Sequence, residues 1–324
     1  MRKRRMFILA GNGLSVDLIH YLQLKLDTSS PLKSFHNPNI KFDPFINKLD
    51  TIKNKLMPLS HNQSDFDAMN EFLDFGHWKK YDQQNESELR KFLALSYSTF
   101  QLEMDKYNLV QWPWTMWMKK YRKDIIGLIS FNYDLILENA FRQAHPITGY
   151  HRVGTNNERG GIPLFKPHGS IDFEIAPDLR TAEDNTSTWS ARMNGNQIHK
   201  SNRKGFVTTV SYHDVDDFRL QPDLIPPTQE NYHKERAWIQ DLFKSYSNCV
   251  QHFDVNTFVI VGHSFGNPDR KEIKYFISEL PKGCSFYIVN PSYNSEAIQE
   301  LIAFIESNRH IVRETREYGP PHLV

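Results

Sequence analysis

The chain has 324 residues, 39% of them hydrophobic and 24% charged, which is enough for one large domain with a substantial core. Thirty-nine Lys and Arg against thirty-eight Asp and Glu give a formal charge of +1, which argues against direct nucleic-acid binding driven by overall charge. Two cysteines, Cys249 and Cys284, are too few for a four-cysteine zinc site, so we expect no metal.

The N-terminus predicts no targeting or membrane segment. The basic start MRKRR is followed by a short apolar run that ends at Gly11 without a small-residue cleavage site. No stretch approaches the roughly 18 to 20 apolar residues that span a bilayer. We therefore expect a cytoplasmic protein that does not contact a membrane.

Five short apolar runs end in Gly, Asn or His and predict strands buried on both faces, as in a parallel sheet. These runs are residues 6–13, 125–134, 162–170, 257–266 and 285–292. Helical patterns follow three of them, at 134–144, 270–280 and 295–307. The alternation predicts a single α/β domain over residues 1–324, with a doubly wound, mostly parallel, Rossmann-like sheet.

Two segments interrupt this alternation. Residues 31 to about 123 are helical in pattern and rich in aromatic residues, which predicts an inserted helical lobe. Residues 176–205 are polar, which predicts a loop or hairpin insertion.

The segment GHSFG (262–266) has two interpretations. It matches the G-x-S-x-G elbow that would make Ser264 the nucleophile of a hydrolase. It could instead be a loop that brings backbone amides to a phosphate. Only His310 and His322 follow Ser264 as possible bases, and Pro268 falls where the helix after an elbow should run uninterrupted. The sequence favours the phosphate-binding loop.

Other polar residues also follow predicted strands. GNGLS (11–15) follows the first strand, Asn132 and Asp134 follow the second, and His168 follows the third. Ligands of open α/β sheets bind at the carboxyl ends of the strands, so these residues predict one shared crevice. A histidine beside an Asn-x-Asp tip can act as a general base there.

The motifs GNGLS, FNYD, KPHGS and VGHSFG, in this order and spacing, resemble the sirtuin superfamily and more closely its bacterial sirtuin-like branch. The segment PPTQENYHKERAWIQDLF (226–243), upstream of the last motif, and the aspartate after it, Asp269, add to the likeness. The resemblance covers residues 6–20, 125–175 and 225–292.

The resemblance implies NAD+ binding and assigns roles to matching positions. Asn132 and Asp134 would lie at the nicotinamide end, and His168 would be the catalytic base. The remaining positions would hold the pyrophosphate and the two riboses; they are Gly11, Asn12, Gly13, Ser15, Gly262, His263, Ser264 and Asn290.

Two departures from the deacylating sirtuins matter. The chain cannot build their four-cysteine zinc module, and VDLIHYLQ (16–23) stands where they carry a G-I-P-D-F-R segment. Both departures argue against deacylation and fit the sirtuin-like NADases of bacterial anti-phage defence. The sequence thus predicts an NAD+ glycohydrolase with NAD+ as substrate and no zinc. The alternatives are a silent NAD or ADP-ribose-binding regulatory subunit, a hydrolase that uses Ser264, and a zinc-free deacylase.

A free NADase would harm its host, so the resemblance also implies restraint by assembly or by a partner. We expect a homo-oligomer, a separate sensor or ATPase partner, or both. The helical lobe at 31–123 is the predicted surface for this contact.

Overall fold

The computed structural model describes residues 3–73, 83–155, 160–175, 207–213, 222–226, 237–266 and 268–323. Its strands are β1 (Met6–Ala10), β2 (Ile125–Ser130), β3 (Tyr150–Arg152), β4 (Ile162–Phe165), β5 (Gly169–Ile175), β6 (Val207–Thr209), β7 (Pro222–Leu224), β8 (Thr257–Val261), β9 (Ser285–Val289) and β10 (Ile311–Arg316). The α-helices are α1 (Asn12–Tyr21), α2 (Asp43–Ile46), α3 (Met57–Leu59), α4 (Asp65–Leu73), α5 (Gln83–Met104), α6 (Pro113–Lys120), α7 (Ile136–Ala144), α8 (Ala237–His252), α9 (Arg270–Ser278) and α10 (Glu296–Ser307).

The main sheet has seven strands in the order β10-β9-β8-β1-β2-β4-β3, and every pairing in it is parallel. The central strand β1 is buried along its whole length, as its continuous apolar run predicts. Met6, Ile8 and Ala10 face one apolar layer, and Phe7 and Leu9 face the other. Helices cover both faces, so the predicted doubly wound α/β fold is confirmed.

The two layers come from different parts of the chain. One contains residues of α1 and of the helical segment between β1 and β2, together with α7. The other contains residues of α8, α9 and α10. The helical segment also includes a 3₁₀ helix (Pro31–His36) and a π-helical turn (Ile52–Leu56). Its tryptophans Trp112 and Trp114 are buried in the first layer, and the indole nitrogen of Trp112 donates to Asp17 Oδ1 of α1 at 3.1 Å. These helices therefore share a core with the sheet.

A second, antiparallel sheet has the order β6-β5-β7. The sequence patterns did not predict these strands, and the predicted insertion at 176–205 lies outside the described residues. Within the described part of the chain, none of the helices is long and apolar enough to cross a bilayer.

Strand register brings the loops of the main sheet to one level. Ala10, the last residue of β1, is paired with Ser130 of β2 and with Val261 of β8. Val261 is in turn paired with Val289 of β9. The four loops that leave these strands therefore begin side by side at the carboxyl edge of the sheet.

Candidate functional site

A cavity of about 520 Å³ lies at this carboxyl edge. The structure brings ten of the eleven sequence-predicted site residues into its wall, namely Gly11, Asn12, Gly13, Asn132, Asp134, His168, Gly262, His263, Ser264 and Asn290. The eleventh, Ser15, is fully buried and contacts two of them. The remaining wall includes Thr28, Ser29, Pro31, Phe66, Met69 and Tyr97 from the helical segment, which the sequence did not indicate.

Two glycine turns form one side of the cavity by packing backbone against backbone. A Cβ on Gly13 would lie 2.4 Å from the Cα of Gly262, and a Cβ on Gly11 would lie 2.8 Å from the carbonyl oxygen of Gly262. Gly262 itself has a φ of +61°. The amide of Gly13 donates to the Gly262 carbonyl at 2.7 Å. Both turns therefore need glycine for close approach, and the Gly13 amide is already used inside the protein.

Helix α1 begins at Asn12, so the positive end of its dipole meets the cavity. Anionic groups such as a pyrophosphate are stabilised at such a position.

Asn132 is held by a buried hydrogen-bond network. Its Nδ2 donates to Ser15 Oγ at 3.0 Å, and Ser15 Oγ donates to Asp134 Oδ2 at 2.7 Å. The other carboxylate oxygen of Asp134 accepts from the amide of Ile136 at 3.1 Å. Because both oxygens of Asp134 are engaged and its side chain is almost fully buried, Asp134 acts on the cavity by fixing Ser15 and the Asn132 amide.

The charge of Asp134 is costly where it lies. Burial raises the pKa of Asp134, while the hydrogen bond from Ser15 and the charge of Lys166 act against this rise. Lys166 Nζ donates to the main-chain oxygen of Asp134 at 2.8 Å and to Glu138 Oε1 at 2.7 Å. This buried lysine ties the loop after β2 to helix α7.

Two histidines share one carboxylate. His168 Nε2 lies 3.3 Å from Asp269 Oδ1, and His263 Nε2 lies 3.1 Å from Asp269 Oδ2. Phe131 packs edge-on against both rings, with centroids 5.1 Å from His168 and 4.8 Å from His263. The amide of Phe265 donates to His263 Nδ1 at 3.0 Å.

Asn290 braces the loop that carries His263. Its Nδ2 donates to the carbonyl oxygen of His263 at 2.8 Å, and its Oδ1 accepts from the amide of Ser292 at 2.8 Å. The side chain thus joins the loop after β9 to the loop after β8.

The geometry disfavours Ser264 as a nucleophile. Both ring nitrogens of the adjacent His263 are engaged, one by a backbone amide and one by a carboxylate. His310 precedes β10 at the opposite, amino-terminal edge of the sheet, where its Nε2 lies 3.3 Å from the carbonyl oxygen of Ile277. His322 is exposed in the tail, and neither it nor His310 lines the cavity. Within the described residues, neither histidine that follows Ser264 can serve it as a base.

Three features of the site escaped the sequence patterns as functional ones. Phe131 is the first residue of the FNYD motif, where the sequence gives it the character of an ordinary apolar residue. Asp269 directly precedes α9 and reads as a helix cap. Tyr97 comes from the distant helix α5; its hydroxyl donates to the Thr28 carbonyl at 3.2 Å, and burial raises its pKa.

The described residues contain no group of three His, Cys, Asp or Glu side chains that could hold a metal ion.

Comparison with known proteins gives distant structural similarity. No family model and no curated protein matches the chain. A solved structure described as "The Structural basis of Sirtuin Substrate Affinity" has 12% identity and a TM-score of 0.33, covering 94% of this chain and 95% of that chain. "Structure of Sir2Tm bound to a propionylated peptide" has 11% identity and a TM-score of 0.31, with 94% of each chain covered. "Sir2-p53 peptide-NAD+" has 11% identity and a TM-score of 0.30, again with 94% of each chain covered. These TM-scores are too low to establish a shared function.

Proposed function

We propose that the chain is an NAD+ glycohydrolase that cleaves NAD+ to nicotinamide and ADP-ribose. The observation that carries the proposal is the meeting of Asn132 and His168 with two glycine turns and the N-terminus of α1 in one cavity. A helix N-terminus suits a pyrophosphate, and an amide beside an imidazole suits a reacting ribose. The order of the motifs along the chain, which resembles sirtuins, supports the same proposal.

The reaction breaks the bond between C1′ of the ribose and the pyridinium nitrogen. The bonding electron pair leaves with nicotinamide, which becomes neutral, and the ribose carbon takes on oxocarbenium character, as in glycoside hydrolysis. Water forms the new C1′–O bond and loses one proton. The products are nicotinamide, ADP-ribose and H⁺.

Each residue has a role in this scheme. His168 accepts the proton from the attacking water or from a ribose hydroxyl. The amide of Asn132, held in place by Ser15, orients the water or the nicotinamide carboxamide. Asp134 is a positioning residue that acts through Ser15.

The remaining assignments concern the rest of the ligand. Asn12 and Ser264 line the cavity and contact the phosphates and the adenosine ribose in this proposal. Gly11, Gly13 and Gly262 shape the surface on which the pyrophosphate lies.

We propose further that the chain depletes NAD+ in bacterial anti-phage defence, in the cytoplasm, under control of self-assembly or of a sensor or ATPase partner. The support is the resemblance of the motifs to sirtuin-like NADases. NAD+ is the substrate in this proposal, and no zinc takes part.

The experiment is an assay of nicotinamide and ADP-ribose release by the purified protein, alone and co-expressed with the products of neighbouring genes. We expect His168→Ala to lower release roughly 100- to 10,000-fold with NAD+ affinity largely kept, and Asn132→Ala to abolish it. His151→Ala, which changes a histidine outside the cavity, is the control and should behave as wild type. Turnover that is unchanged in His168→Ala would refute the role of His168.

The second candidate is a regulatory subunit that binds NAD+ or ADP-ribose without cleaving it. The engagement of Gly13, Asn290 and Asp134 in internal hydrogen bonds is compatible with a purely binding cavity. Binding of NAD+ without nicotinamide release under every condition would favour this candidate.

A further inference from the structure

We propose that Asp269 and His263 form a relay that positions the ring of His168: Asp269 holds His168 through Nε2, and His263 holds Asp269. The inference rests on the proposed function, in which His168 is the base. It assigns Asp269 and His263 to positioning, whereas the sequence resemblance gives His263 a contact with the cofactor and gives Asp269 no role.

The tautomer of His263 is fixed by its surroundings. Its Nδ1 accepts a hydrogen bond from the amide of Phe265 at 3.0 Å and so carries no proton. The ring proton of neutral His263 is therefore on Nε2, which lies within ion-pair distance of Asp269 Oδ2, at 3.1 Å. This places the second carboxylate oxygen, Oδ1, in front of His168 Nε2 at 3.3 Å.

Asp269 also biases the tautomer of His168. Its carboxylate oxygen Oδ1 faces His168 Nε2 at 3.3 Å, and a carboxylate attracts a proton on the nitrogen that faces it, so the relay has the proton of neutral His168 on Nε2. The atom of His168 that accepts a proton from water or from a ribose hydroxyl is then Nδ1. Asp269 thus determines which nitrogen acts as the base.

The ring planes are held as well as the tautomers. Phe131 meets His168 at an interplanar angle of 83° and His263 at 74°, so one phenyl ring packs edge-on between the two imidazoles. Phe131 is buried and cannot move without disturbing the core.

Asp269 occupies a position at which aspartate normally has another task. It is the N-cap residue of α9, where an aspartate usually accepts hydrogen bonds from the first amides of its helix. Here the side chain makes no cap hydrogen bond, and both oxygens lie beside the histidines instead. The carboxylate forgoes a local stabilising contact, which an arrangement serving only the stability of α9 does not explain.

The test separates positioning from binding and from folding. In Asp269→Asn one oxygen becomes an amide donor, so only one of the two histidines keeps its acceptor. We expect kcat for nicotinamide release to fall about 100-fold, the size of effect that a small misplacement of a reacting group produces. We expect the NAD+ dissociation constant to change less than about threefold, since the proposal gives Asp269 no contact with NAD+. We expect the variant to stay folded with a cooperative urea transition, because the Asp269 side chain makes no cap hydrogen bond with α9. Asp269→Glu should restore part of kcat, and Lys271→Ala, an exposed change on α9, should match wild type.

Two isosteres of His263 provide the sharper comparison. Gln can place an amide nitrogen where His Nε2 lies and keep the donor to Asp269, while Asn can place an oxygen where Nδ1 lies and keep only the bond to Phe265. We expect His263→Gln to retain a kcat at least about tenfold above that of His263→Asn. Equal losses in the two variants, or an unchanged kcat in Asp269→Asn, would overturn the relay.

The relay has a readout that does not need activity. Long-range proton–nitrogen NMR spectra of the histidine rings should report the Nε2–H tautomer for both His168 and His263, and Asp269→Asn should change the His168 signals. If the wild type released no nicotinamide but showed these tautomers, the proposed function would fail while the relay stood. An Nδ1–H tautomer of His263 would overturn the relay whatever the activity.

Discussion

Removal of the Ser15 hydroxyl tests the buried network that holds Asn132. Ser15→Ala leaves Asp134 Oδ2 without its 2.7 Å donor and Asn132 Nδ2 without its 3.0 Å acceptor, at a position with no solvent exposure. A hydrogen bond to a charged group contributes about 1.5 to 3 kcal/mol and a neutral one about 1 kcal/mol. We therefore expect the free energy of unfolding to fall by about 2 to 4 kcal/mol. Nicotinamide release should fall as well, because the Asn132 amide loses its fixed orientation.

Urea unfolding at pH 7, with release assays at saturating NAD+, measures both effects. Ser98→Ala is the matched control: this serine is also fully buried, but its hydroxyl donates only to the Ala94 carbonyl of its own helix at 2.6 Å. Its removal leaves no charged group without a donor, so we expect a loss below about 1 kcal/mol. Equal losses for Ser15→Ala and Ser98→Ala would refute the reasoning that the network carries this stability.

Three further results are expected. Burial raises the pKa of Asp65 above its usual 3.8, so its contribution to stability falls as the pH rises from about 4 through the raised pKa. Asp65→Asn should therefore gain stability relative to wild type over this rise in urea unfolding, and parallel pH profiles of the two proteins would contradict this. Burial raises the pKa of Cys249 to about 12, so little of its thiol is ionised at pH 8. Its reaction with an aromatic disulfide should therefore be on the order of a thousandfold slower than that of free cysteine, and a rate near that of free cysteine would be inconsistent with the buried thiol. Gly13→Ala places a Cβ 2.4 Å from the Cα of Gly262, so we expect the free energy of unfolding to fall by about 1 to 3 kcal/mol. Calorimetry should also show weaker NAD+ binding, and wild-type affinity would argue against this wall of the cavity as the ligand site.

The strands of the main sheet were largely predictable because their residues are buried on both faces. β1, β2, β4, β8 and β9 each lie within a predicted apolar run. β10 alternates between exposed and half-buried positions at the edge of the sheet and carries Arg, Glu and Thr. It therefore lacks the continuous apolar run from which the other strands were predicted. The short strands β5 to β7 form a separate sheet whose pairing depends on contacts distant in the chain.

The position of the strand ends beside one another was predictable from topology. The contacts that individual amides and side chains make there were not. A glycine-rich turn reads the same whether its amides bind a phosphate or another turn, and only the structure has the Gly13 amide bonded to Gly262. An aspartate before a helix reads as a cap, and only the structure turns Asp269 toward two histidines. Tyr97 and Thr28 enter the wall from the helical segment, and no local pattern relates them to the strand tips.

The central claim is that this cavity binds NAD+ with its nicotinamide ribose between Asn132 and His168. The most direct measurement is a crystal structure of His168→Ala in complex with NAD+, since this variant is expected to bind the dinucleotide without cleaving it. The account predicts the nicotinamide ribose beside Asn132, the pyrophosphate at the N-terminus of α1, and the adenosine on the side of Gly262 and Ser264. NAD+ bound elsewhere on the chain, or bound here with its two ends reversed, would contradict it.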